Sequence, residues 1–184
     1  MVNAFDSWEV AMEELKNDPC FGKINPSDVI PLVEDIRRAG TKKAEEVWEK
    51  YSGVGIRSII EKSGLTIDSQ SKDNVVGEMR YFSEFYPAKK RIVLYNGSIQ
   101  IWADKNGFTL EEACTILLAH EFFHHLETSE LGLFSKRYLV PMIKIGNWEV
   151  GKTGIRALSE IGAYAFSGKI FELSGGESNH ESCV

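Results

Sequence analysis

Six consecutive residues of this 184-residue chain, His120-Glu121-Phe122-Phe123-His124-His125, contain the pattern H-E-x-x-H. On a helix, residues four apart stand on one face, one turn from each other. That spacing lets the imidazoles of His120 and His124 reach a single zinc ion, and places Glu121 to handle a metal-bound water. His125 lies about 100° round the helix from His124 and cannot share its metal. The fourth histidine, His180, sits in a polar tail and is read as free.

The pattern needs a helix to carry it. Thr109-Leu110-Glu111-Glu112 is a capping box, with Thr at the N-cap and Glu at N3, so a helix starts eleven residues before His120. Nothing breaks it from Leu110 to about Glu127. Ala113, Ile116, Leu117, His120, Phe123 and His124 share one broad face, and Leu118, Phe122 and Leu126 cover the opposite side. A helix apolar nearly all round is buried, and buried imidazoles need partners that a metal can supply. Cys114 falls on a different azimuth and reads as a buried structural thiol.

A catalytic zinc takes three protein ligands and keeps one position open for water. The continuation H-E-x-x-H-x-x-G-x-x-H fails here, because Glu127 and Glu130 occupy its glycine and third histidine positions. A carboxylate from another helix is therefore required. Glu160 is the leading candidate, the one acidic residue in the apolar run Ala157-Leu158-Ser159-Glu160-Ile161-Gly162-Ala163-Tyr164-Ala165-Phe166. A glutamate there is costly to bury unless it pairs or binds a metal, and Gly162 and Ala163 permit close helix approach. Glu149 is the rival, and Glu172 falls at a solvated helix end. Glu127 and Glu130 are expected to face water; the alternative for Glu127 is support of His124 from one turn beyond.

Around these two helices the chain divides by period. Helices are expected over 4–17, from Pro26 to a stop at Gly40, from Thr41 to about Tyr51, and over Ile56–Ser63. Leu65–Asp68, Val75–Tyr86 and Arg91–Tyr95 read as strands. Alternating burial accounts for the aromatics from Tyr81 to Tyr86, and Lys89, Lys90 and Arg91 read as a solvated edge. Ser98–Lys105 is a short helix. Residues 128–155 are irregular, with an extended piece near Tyr138–Ile145, and a last helix covers about Ile155–Leu173. The polar tail from Ser174 is expected to be disordered. The resulting organisation is α+β: a helical extension over 1–52, a core over 53–173 and a tail over 174–184.

Composition narrows the function. A net charge of −6 argues against direct nucleic-acid binding. Cys20, Cys114 and Cys183 show neither zinc-knuckle nor disulfide spacing. The acidic start, Met1–Trp8, is unlike a signal peptide, and no apolar run approaches the ~20 residues of a membrane span. A reducing cytoplasm is the expected compartment.

The order of helices, strands, H-E-x-x-H helix and E-x-x-A-x-x-F helix resembles the ImmA/IrrE family of cytoplasmic, gluzincin-type metallopeptidases. The matching residues are His120, Glu121 and His124, then Glu160, Ala163 and Phe166, and Ile56–Ile67 is similar to that family's opening helix-turn-strand. The resemblance covers about residues 55–173; Tyr164 stands where the family usually has asparagine, and Phe123 where glycine is common. It implies a zincin-like fold with a small, mainly antiparallel sheet, and a protein substrate such as a regulatory protein. The expected activity is zinc-dependent peptide hydrolysis. The ion held by His120, His124 and Glu160 lowers the pKa of its water to near ~7, with Glu121 as general base and then general acid. Tyr164, Tyr138 and Arg156 are candidate oxyanion donors, and strand Arg91–Tyr95 is a candidate edge for β-addition of substrate. The alternative is a non-hydrolytic, metal-stabilised binding or sensor module using the 1–52 helices.

Overall fold

The computed structural model describes residues 4–145 and 148–175, and the expectation for the tail from 176 onward lies outside them. The chain opens with a short 3-10 turn, Ala4–Asp6, and helix α1, Trp8–Asn17. Ser7 caps α1 by accepting the Val10 amide at 3.2 Å. Helix α2 then runs unbroken over Pro26–Lys50, which corrects the reading of two helices meeting at Gly40. A glycine in right-handed helical geometry costs about 1 kcal/mol relative to alanine without ending a helix. Here its bareness is used: a Cβ on Gly40 would lie 2.5 Å from the Gly162 carbonyl oxygen.

Helix α3, Ile56–Lys62, leads into strand β1, Thr66–Gln70. The stretch expected as one strand over Val75–Tyr86 is three: β2, Asn74–Val76; β3, Met79–Tyr81; and β4, Ser83–Tyr86. Gly77, at φ +63°, turns the chain between β2 and β3, which form their own antiparallel hairpin. Strand β5, Arg91–Tyr95, pairs parallel with β1 and antiparallel with β4, so the main sheet has the order β1-β5-β4. Strand β5 is thus central and buried from Ile92 to Tyr95. The edge beside the H-E-x-x-H helix is β4.

Helix α4, Asn96–Asn106, ends on Gly107 in the left-handed conformation. The capping box forms as expected, with Glu112 N to Thr109 Oγ1 at 3.2 Å and Thr109 N to Glu112 Oε2 at 2.7 Å. It starts α5, Leu110–Leu126, which continues into a single wide turn over Glu127–Leu131. The irregular segment contains a hairpin of β6, Leu139–Ile145, and β7, Trp148–Gly154; β7 was not expected. Helix α6, Ala157–Leu173, closes the described fold.

The architecture is α+β, with helices packed on one small mixed sheet and two antiparallel hairpins outside it. One hydrophobic cluster joins Leu15 of α1, Val33 and Ile36 of α2, Ile92 and Leu94 of β5, Phe122 of α5 and Phe166 of α6. The 1–52 helices therefore share a core with the remainder of the chain. Gly162 makes the central contact possible: a Cβ there would sit 2.8 Å from both Phe123 and Phe134. Among the described residues, no helix is long and apolar enough to cross a membrane.

Candidate metal centre

Helix α5 carries His120 and His124 on its inner face, with ring centroids 4.9 Å apart and Nε2 atoms 3.2 Å apart. Helix α6 brings Glu160 to the same point, its carboxylate 3.3 Å from His120 Nε2 and 3.8 Å from His124 Nε2. One ligand atom from each of the three residues lies within 4.8 Å of the others. Glu160 is positioned from far along the chain: the Asp18 carboxylate accepts the Ala157 amide at 3.0 Å and caps the start of α6. Glu149, the rival ligand, lies on β7 paired with Lys144 and does not join the cluster.

Glu127 corrects the expectation of a solvated carboxylate. It is 3% exposed, because the chain continues past α5 in a wide turn that keeps Glu127 on the face of His124, three residues back. Its Oε2 faces His124 Nδ1 at 2.9 Å, and its Oε1 accepts the Phe134 amide at 2.7 Å and the Ser159 hydroxyl at 2.6 Å. One carboxylate therefore links His124 to Ser159, the residue preceding Glu160. With Nδ1–H donated to Glu127, the Nε2 lone pair of His124 points at His120 and Glu160. Glu130 is the solvent-side partner of Lys43, at 3.1 Å.

The carboxylates and imidazoles of the cluster shift one another's titration. Burial opposes ionisation of Glu160, but the hydrogen bond and charge of His120, with His124 and Arg156, bring its carboxyl down to about 2. Burial lowers the His124 imidazole, yet Glu127, Glu160 and Glu121 outweigh it and leave its pKa raised. Glu127 is likewise held below the ordinary range, against its burial, by His124, Ser159 and the Phe134 amide. Two imidazole nitrogens and one carboxylate oxygen gathered this closely could hold a metal ion.

Glu121 is buried and lines a cavity together with His120 and Glu160. The Ser83 hydroxyl on edge strand β4 donates to Glu121 Oε1 at 2.7 Å, a contact for which the sequence carries no signal. Tyr164 has its ring 5.3 Å from that of His120 and lines the cavity. Burial and the Glu14 and Glu160 carboxylates push its phenol far up. Arg156 lies on the other flank of Glu160, sharing a cleft with Glu14 and Asp18. Tyr138 is a correction: its hydroxyl donates to Asp28 at 2.7 Å, and it does not line the cavity. His125 packs its ring against Phe85 and Phe122, facing away from the cluster as expected. Compared with known proteins, the chain matches no family model, no curated protein and no solved structure.

Proposed function

We propose that the protein is a zinc-dependent metallopeptidase with a zincin-like, gluzincin-type site of the ImmA/IrrE kind, acting on a protein substrate in the cytoplasm. The observation that carries this reading is the convergence of His120, His124 and Glu160, with His120, Glu160 and the buried Glu121 lining one cavity. His120, His124 and Glu160 would hold the ion. Bound there, zinc supplies a Lewis acid that polarises a carbonyl and makes water acidic enough to act at neutral pH.

The chain's own residues do the remainder. Glu127 keeps the His124 proton on Nδ1, so that Nε2 stays free as a ligand. Ser83 fixes one oxygen of the Glu121 carboxylate, which accepts the proton of the attacking water and returns it to the leaving amine. Strand β4 presents its free edge along α5 for an extended substrate. Tyr164 and Arg156 flank the ligand set as candidate donors to the oxyanion.

The test is purification without chelator and measurement of bound metal and proteolysis, in wild type and Glu121→Gln. One zinc per chain in both, with hydrolysis confined to wild type, is the expected result. Glu160→Gln should weaken zinc binding by tenfold or more, on the order seen when a site loses a ligand or its direct support, and Glu149→Gln should not. Zinc without hydrolysis in either protein favours a metal-stabilised binding module. A wild-type protein that takes no zinc at one equivalent overturns the reading.

A further inference from the structure

The ligand cluster opens into a cavity of about 620 Å³, a size that accommodates a small ligand or a large side chain with part of its backbone. Its walls come from distant parts of the chain: Phe5 and Val10 from the N-terminal turn and α1, Phe82 between β3 and β4, Trp102 from α4, and Ile116 and Leu117 from α5. His120, Glu121 and Glu160 stand at one side. Arg80, on the wall, is paired in two prongs with Asp73 at 2.9 and 3.1 Å.

The aromatic wall is braced rather than loose. Trp102 stacks on Phe108 with centroids 5.5 Å apart, and Phe5 meets Trp102 and Phe108 edge-on at 6.4 and 6.0 Å. Asn106, Tyr164 and Ser167 also reach the wall, but its surface is mainly apolar, and a polar side chain pressed against the rings gives up water without a matching partner. An apolar side chain loses nothing there and removes its surface from water.

We infer that this cavity is a specificity pocket, and that the substrate places a large apolar or aromatic side chain in it beside the bond that reacts. The inference rests on the reading of the site as a peptidase centre. Leu117, three residues before His120, is half-buried on the cavity wall, and Val10 of α1 also lines it. The N-terminal turn and α1 thereby become part of substrate selection.

The test uses the full chain loaded with zinc and a randomised peptide library read by mass spectrometry. Cleavage should favour Phe, Leu, Met, Tyr or Trp beside the scissile bond over Ser or Asp by about tenfold or more, the discrimination that 1.4 kcal/mol provides. Leu117→Trp fills the pocket, and it should remove that preference and favour small residues while zinc stoichiometry stays at wild type. Val10→Trp fills it from a different element and should do the same, which guards against one variant that misfolds. A second readout does not need hydrolysis: N-acetyl-phenylalanine amide should shift the Trp102 indole resonance at concentrations where N-acetyl-serine amide does not, and Leu117→Trp should abolish that shift. Cleavage without apolar preference, or a preference untouched by both filling variants, overturns the inference. If no peptide is cleaved, the peptidase reading fails, and the indole titration alone decides the pocket: a Phe-selective shift supports it and equal responses refute it.

Discussion

Replacement of Glu127 by glutamine isolates what that buried carboxylate does for the metal centre. Its three acceptances, from His124 Nδ1, Phe134 N and Ser159 Oγ, use both oxygens. The amide of Glu127→Gln has the same shape, and its oxygen can keep the Phe134 and Ser159 bonds. Its nitrogen then faces His124 Nδ1. Two N–H groups cannot bond to each other, so the imidazole must move its proton to Nε2, the atom that faces His120 and Glu160. A hydrogen bond to a charged group contributes about 1.5–3 kcal/mol, and loss of such a partner behind a metal-binding histidine costs about 10–100-fold in metal affinity. The expected result is a fall of that size in zinc affinity with the fold retained. Glu127→Ala adds a fold cost of about 1–3 kcal/mol by stranding the buried Phe134 amide, so the pair separates positioning from stability. Zinc competition against a chromophoric chelator gives the affinity, and long-range nitrogen–proton NMR gives the His124 tautomer. Zinc affinity within about twofold of wild type, with His124 still protonated on Nδ1, would refute the reasoning.

Two further perturbations address the fold. Gly40→Ala places a methyl group 2.5 Å from the Gly162 carbonyl oxygen; overpacking of this kind costs about 1–3 kcal/mol, so the urea midpoint should fall, whereas a rise would mean that ordinary helix propensity prevails over the α2–α6 contact. Burial raises the Asp6 carboxyl to about 6 against the pull of Arg37, 3.3 Å away. A carboxyl raised in the folded state contributes stability that is full below its unfolded value near 3.8 and is lost as pH rises through 6. The stability of Asp6→Asn relative to wild type should therefore increase between about pH 4 and 6, by at most about 3 kcal/mol. Urea midpoints of both proteins across that range check the sign, and a flat difference would refute it.

The elements that follow local rules were legible. The capping box at Thr109 depends on neighbouring residues and stands where the spacing puts it, and the short helix before it ends at Asn106, one residue beyond the expected Lys105. Gly40 was misread as a stop because a glycine's effect depends on what packs against it, here the Gly162 backbone. Strand β7 has strand formers in Trp148, Val150 and Thr153, but Gly151 and Gly154 interrupt them, and pairing with β6 supplies the bonds that hold it extended. Strand β5 was taken as an edge because its sequence reports burial and says nothing of which strands lie on either side.

The same division holds at the centre of the molecule. The sequence alone determined that His120 and His124 share a face, that Glu121 stands between them, and that a buried helix carries all three, because the helical period and local caps depend on residues within a few turns. Tertiary structure decided which carboxylates meet them. It brought Glu160 in on α6 in preference to Glu149, folded Glu127 behind His124, set Ser83 on Glu121 and built the apolar cavity from Phe5 to Leu117. The cavity walls and the Asp18–Ala157 bond join residues more than a hundred positions apart, and the packing of α1, α2 and α6 around α5 brings them together.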